Sequence, residues 1–469
     1  MLFPTLTFAI FFVIVFAGAW ALQNNNDARK NMLLVASYVF YGWWDWRFCF
    51  LLLAASLTAW IAGLALHVTT DETRKKWITG TACAVLLGVL AFFKYYGFFL
   101  SSLQDALFAV GWQRDLPFME IILPVGISFF TFQAISYVVD VHREQIGARR
   151  SPRDVLLYIS LFPQLVAGPI VRAADFLPQL EQRATLTRAA SMFGLTLCGV
   201  GLFKKMVVAN YLATSLVDPV FIDPSSQSSL MLLTAVYGYA IQIYCDFSGY
   251  SDIAIGTAAL LGFRFKANFN QPYRATTLQD FWRRWHISLS GWLRDYLYIP
   301  LGGSRFGTWF TYRNLLITMV LGGFWHGAAW NFIIWGTMHG LWLAAERASG
   351  LANFFNRNRI GRVTGWFVTF HLVCAAWVFF RAENLDLALD WFSGLAAFSL
   401  PVYGLTWFAT LLIVVSLAFQ FTPSDGVNRV AGYFERKPLI LAGGIFALTL
   451  LAVQWLAPSG TAPFIYFQF

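Results

Sequence analysis

Charge is scarce in this chain. Only 12% of its 469 residues are Asp, Glu, Lys or Arg and 58% are hydrophobic, where a typical soluble protein carries about 25% charged residues. Mean hydropathy is +0.59. A soluble fold of this length could not bury so much apolar surface, so the excess must face lipid and the chain reads as an all-α polytopic membrane protein. Also missing is any polar stretch long enough to fold as a separate soluble module. The expectation is a single membrane domain over 1–469, with N-terminal helices in 1–154, a core with re-entrant segments in 155–347, and C-terminal helices and a tail in 348–469.

Further absences narrow the chemistry. The five cysteines (Cys49, Cys83, Cys198, Cys245, Cys374) form no CxxC pair, which argues against a disulfide framework or a zinc site, and no metal is expected. No GxSxG elbow, HExxH helix or phosphate-cradling GxxxxGK[ST] loop occurs. No internal repeat or low-complexity tract is evident. The N-terminal "MLFPTLTFAIFFVIVFAGAWAL" has neither a basic n-region nor a clear small-residue cleavage site, so it is read as a retained first span. The net charge of +9 is spread over loops rather than gathered in one block. It therefore bears on orientation and not on nucleic acid, which is not an expected partner.

What is present is apolar runs. A span needs about 20 apolar residues, and candidates lie near 2–22, 31–46, 48–68, 77–100, 119–140, 189–212, 230–245, 247–263, 312–330, 331–346, 365–381, 403–421 and 438–457. Several are short, and "LYISLFPQLVAGPIVR" (157–172) holds two prolines and a glycine. Such segments suit re-entrant or broken helices buried in protein, so about 11 true spans plus re-entrant pieces are expected. Loops 23–30, 71–76 and 141–154 carry nine Lys or Arg (Arg29 and Lys30 among them) against two, Arg47 and Arg114, in the alternate loops. The positive-inside rule puts those three loops in the cytoplasm and the N-terminus outside.

Residues 263–313 interrupt the apolar pattern with eight Lys or Arg against Asp280 and Asp295. Here "TTLQDFWRRWHISLSGWLRDYLYIPLGGSR" reads as one amphipathic helix. Thr277 and Asp280 resemble a capping box, Phe281, Trp285, Leu289, Trp292, Tyr296 and Ile299 share one face, and Pro300 with Gly302-Gly303 ends it. Arg283, Ser290 and Arg294 lie on another face, and His286 sits at the border. The basic face could hold anionic lipid headgroups at the interface. Alternatively, it could be a funnel for an anionic cosubstrate such as a nucleotide-containing thioester. Charge alone does not choose.

Two of the six histidines, His326 and His339, lie in "GGFWHGAAWNFIIWGTMHG" (322–340), which contains no charged residue. A titratable group at membrane depth is costly and marks a functional site by default. Desolvation keeps an imidazole neutral and able to accept a proton. Against this stands the structural reading of a buried hydrogen-bonding histidine. Gly322, Gly323, Gly327, Ala328 and Ala329 would let a helix or a ligand approach closely. If one helix ran through both histidines, their azimuths would differ by about 140°, so His339 is expected to support His326, not join it. His67, His142 and His371 read as interfacial or structural. Asp246 and Asp252, in "YCDFSGYSD" (244–252), are expected at a helix break, either pinning it or orienting a histidine or a substrate hydroxyl.

These residues resemble the membrane-bound O-acyltransferase family, and within it the alginate O-acetyltransferase branch. The motifs are "SYVFYGWWDWRF" (37–48), "LFPQLVAGPIVR" (161–172), "YCDFSGYSDIAIG" (244–256), "NFNQPYRATTLQDFWRRWHISLSGWLRDYLYIPLGGSR" (268–305), "GGFWHGAAWNFIIWG" (322–336) and the terminal "PFIYFQF" (463–469). The resemblance implies a multi-helix fold crossed by a tunnel, with the catalytic histidine at His326, beside Trp325, and a second polar position at His286. It implies acetyl-CoA as a cytoplasmic acyl donor and acceptor chemistry on the opposite side of a bacterial inner membrane. A periplasmic SGNH-type acetyltransferase or acetyl-carrier proteins, and the polysaccharide synthesis machinery, are the implied partners, alongside membrane lipids. On this reading Arg283, Arg284 and Arg294 hold the CoA phosphates, His326 deprotonates the acceptor hydroxyl, and His286 polarises the thioester carbonyl. Asp246, Asp252 and Asp295 are supporting residues.

The aromatic tail poses a separate question. Such segments often just anchor at the interface. Tyr466, however, offers a phenol and resembles the terminal tyrosine of the small accessory peptide of D-alanylation systems. It is a candidate acyl relay. The rivals are a polysaccharide or lipid transporter without covalent chemistry, which would show inverted repeats, and a lipid or teichoic acid acyltransferase of the same family. Alginate and cellulose are the two polysaccharides in view.

Overall fold

The computed structural model describes residues 1–166, 168–401, 404–458 and 464–465. All regular structure among them is helical, as expected of a chain whose backbone polar groups must be satisfied within lipid. Among the described residues, six helices are long and apolar enough to cross a membrane: Phe48–Val68, Glu72–Ala109, Arg188–Ile222, Ser229–Leu260, Arg359–Arg381 and Leu439–Leu456. Leu6–Ala21 and Trp407–Phe419 are shorter apolar helices. Part of the gap from about 11 expected spans comes from merging. The runs 230–245 and 247–263 form one 32-residue helix, Ser229–Leu260. Asp246 and Asp252 therefore sit inside a continuous helix and not at a break.

The chain divides into two compact units. The first comprises 1–186 with 261–264. In it the motif 157–172 is broken as its prolines predict: helix Pro152–Ser160 is followed by a single turn, Phe162–Leu165. Tyr158, Leu161, Phe162 and Leu165 have no exposed surface. The freed backbone is satisfied by side chains, since Tyr158 Oη donates to Val171 O at 2.9 Å and Gln164 Nε2 donates to Tyr158 O. This is irregular backbone enclosed in protein, a setting that tolerates it at membrane depth. Arg29 and Lys30 do not lie in an open loop. Both are buried in the first turns of helix Asn26–Gly42, where Arg29 donates to Leu261 O and lies over the Phe263 ring, and Lys30 pairs with Asp154 at 3.0 Å.

The second unit comprises 187–260 with 265–469. Arg188–Ile222 packs along Ser229–Leu260. Glycines set the spacing: a Cβ on Gly201 would meet Gly249 O at 2.6 Å, and one on Gly249 would meet Gly201 O at 2.8 Å. Such a seam brings the backbones close enough for dispersion to hold them without a hydrophobic driving force. Just past Gly201 the helix widens into a π-helical turn, Phe203–Ala209, which carries Lys204 and Lys205. Thr308–His326 and Trp330–Ser349 form a second close pair.

Candidate active site

The polar block is not one helix. Thr277 caps Leu278–Arg284 as its sequence predicts, accepting from Asp280 N at 3.1 Å. The helix then stops, His286 adopts a left-handed backbone (φ 42°, ψ 56°), and a second helix runs Ile287–Leu293. The cause lies upstream. Asn270 N donates to Arg284 O at 2.9 Å, and Ile287 N donates to Asn268 O at 2.8 Å. These groups would pair along a continuous helix, but segment 268–270 claims them. Asn268 Oδ1 also accepts from Ser288 N at 3.1 Å and Ser288 Oγ at 2.9 Å. A non-glycine residue held at positive φ is strained, and the surrounding bonds must overdetermine it. The apolar face otherwise holds as far as Trp292: Phe281, Trp285 and Leu289 are buried, while Ile299 is 40% exposed.

His286 is fully buried, not at a border. Its Nδ1 lies 3.3 Å from Asn268 Oδ1, an oxygen that accepts from Ser288 and hence must accept here too. The ring proton therefore sits on Nδ1 and the lone pair on Nε2. Burial lowers the pKa of this imidazole to about 3, so it stays neutral. A neutral ring whose one N–H already faces Asn268 is a hydrogen-bond acceptor at Nε2. It is poorly suited to polarise a carbonyl. Phe247 meets it edge-on at 4.5 Å between centroids.

His326 is the last residue of Thr308–His326, and the chain breaks at Gly327 before Trp330–Ser349 begins. No helix continues to His339, so the azimuth argument does not apply. The small residues around His326 make room for a helix: a Cβ on Gly323 would strike Phe332 O, and one on Gly327 would strike the Phe332 ring. Tryptophans connect the histidines. Trp325 is in ring contact with His286 at 6.3 Å and with His326 at 5.1 Å. Trp335 contacts His326 at 5.1 Å and His339 at 4.8 Å. His339 thus stands as near to His326 through one indole as His286 does through another. It is fully buried, and neither ring nitrogen has a hydrogen-bond partner among the described residues.

The arginines are less uniform than their spacing suggests. Arg283 is exposed. Arg284 is held by Asp280 at 2.9 Å, and Arg294 by Asp295 at 2.6 Å. The aspartates of Ser229–Leu260 are paired with two lysines that sequence reading passed over. Lys204 meets Asp252 at 2.7 Å, partly exposed, and Lys205 meets Asp246 in full burial. Consecutive lysines inside an apolar run, with two aspartates in the next, were the available signal. His371 is hydrogen-bonded to Tyr237 Oη at 2.7 Å. Tyr466 lies outside the described residues.

The family model for the membrane-bound O-acyltransferases matches residues 125–382. That is more than half of the chain and includes both His286 and His326. The chain belongs to the membrane-bound O-acyltransferase family. It is 44% identical to a probable alginate O-acetylase of Pseudomonas aeruginosa over 85% of this chain and 75% of that protein. It is 36% identical to a peptidoglycan O-acetyltransferase of Helicobacter pylori, over 84% and 80%. A teichoic acid D-alanyltransferase of Bacillus subtilis is 28% identical over 55% and 69%. The chain is a multi-pass membrane O-acyltransferase that uses an acyl donor substrate.

Proposed function

We propose that this enzyme moves acetyl groups from acetyl-CoA on the cytoplasmic side of a bacterial inner membrane toward an exopolysaccharide, alginate or cellulose, directly or through a periplasmic SGNH-type partner. The observation that carries the reading is the buried set of His286, Trp325 and His326, two imidazoles on helix breaks flanking one indole. In the step, an acceptor hydroxyl attacks the thioester carbonyl, the carbon–sulfur bond breaks, and an acetyl ester forms. His326 takes the hydroxyl proton and returns it to the CoA thiolate. His286, with its lone pair at Nε2, would accept from a different donor on the bound substrates and help orient them, leaving the hydroxyl proton to His326. Arg283, exposed and outside the ion pairs that hold Arg284 and Arg294, is the readiest of the three to meet CoA phosphates. Tyr466 would carry the acetyl group as an aryl ester between donor and final acceptor.

The test is donor turnover by the purified protein in lipid nanodiscs. Thiol release from acetyl-CoA should exceed that from palmitoyl-CoA. A preference for palmitoyl-CoA would make this a lipid acyltransferase instead. Tyr466→Phe should abolish polysaccharide acetylation in cells, and wild-type acetylation in that variant would end the relay reading.

A further inference from the structure

Asp246 has two partners from distant parts of the second unit. One carboxylate oxygen pairs with Lys205 on the π-helical turn. The other accepts the backbone N–H of Ile465 at 2.9 Å. Lys205, Asp246, Phe464 and Ile465 are each at most 3% exposed. The Phe464 ring lies 4.2 Å from Tyr250 and 5.8 Å from Phe247, and Phe247 is the ring that meets His286. A carboxylate buried among aromatic rings at membrane depth is costly unless its lone pairs are met. Here they are met by one ammonium and one tail amide.

We infer that Asp246 is a positioning residue for the tail: oriented by Lys205, its carboxylate fastens the backbone at Ile465 and seats Phe464 against the aromatic wall that continues to His286. The bond is to a main-chain N–H, so it fixes where the chain passes whatever side chain stands at 465, and Phe464 supplies the side-chain half of the seat. This fastening lies one residue before Tyr466. It deepens the relay reading and rests on it only for its purpose, since the anchor can be tested without any acyl transfer.

Chymotrypsin cuts after aromatic residues, and the Phe464–Ile465 bond is shielded in the seated tail. The full-length protein in detergent is digested, and cleavage at that bond is followed by mass spectrometry, normalised to cleavage elsewhere in the chain. Asp246→Leu combined with Lys205→Met removes the acceptor together with the ammonium that faces it, a replacement that buried ion pairs often tolerate. It should raise cleavage at 464–465 by about tenfold or more, because proteolysis follows the population of the opened segment. Tyr250→Ala, which leaves the ion pair intact and opens the Phe464 seat, should raise it as well. Wild-type cleavage in either variant, at unchanged melting temperature, overturns the anchor. Tyr466→Phe should be cleaved at 464–465 like the wild type whatever its activity. If the double variant releases the tail yet still acetylates, the anchor stands and the relay falls. If its tail stays shielded while Tyr466→Phe is inactive, the relay stands and the anchor falls.

Discussion

Two close helix pairs in the second unit handle buried polarity in opposite ways. Arg188–Ile222 and Ser229–Leu260 neutralise it: two lysines face two aspartates, and Asp246 takes the tail amide as well. Thr308–His326 and Trp330–Ser349 surround their histidines with aromatic rings. His326 and His339 lie among Trp325, Trp335 and Phe380, with ring centroids about 5 Å apart throughout. Charges that satisfy one another build a fixed structure. Imidazoles ringed by aromatics suit the proton transfer proposed for His326. Under the proposed function the first pair is framework and the second carries the chemistry.

Substitutions can break that contrast. His326→Ala should have the largest effect, cutting acyl transfer by about 10²–10⁴-fold while the melting temperature hardly moves. A large stability loss with modest activity loss would place His326 in the framework instead. Asp246→Ala should show a large stability loss, about 3–5 kcal/mol, by removing the carboxylate that faces the buried Lys205 ammonium, as read from thermal unfolding in detergent. Lys204→Met should cost less than Asp246→Ala, because the Lys204 and Asp252 side chains are 23% and 19% exposed and the charge left behind is not fully enclosed by protein. His339→Phe should be smallest, within about 1 kcal/mol of wild type, since a ring of similar shape replaces one whose nitrogens make no hydrogen bond among the described residues. If acyl transfer falls in His339→Phe at unchanged stability, His339 joins the chemistry.

The all-helical membrane architecture and the family were open to reading because composition and the tryptophan–histidine motifs are local features. The broken helix at 157–172 was legible from Pro163 and Gly168, whose backbone demands need no tertiary knowledge. The break at His286 was not. Apolar periodicity runs straight through it, and what interrupts the helix is Asn268, eighteen residues upstream. The reverse error occurred at 244–252. Gly249, serines and aspartates look like a break, yet lysines on the neighbouring helix and a glycine seam keep that helix whole. Tautomer, too, is a tertiary property. Nothing in "WRRWHISLSG" says which nitrogen of His286 carries the proton.

The unbroken Ser229–Leu260 helix has a consequence for insertions and deletions. Phe247, which touches His286, and Asp246, which holds the tail, are adjacent on it. One residue gained or lost between Gly238 and Cys245 would swing both by about 100° and shift them about 1.5 Å along the axis relative to the preceding turns. Ring contact and tail bond would go out of phase together. This stretch should accept changes of side chain far more readily than any change of length.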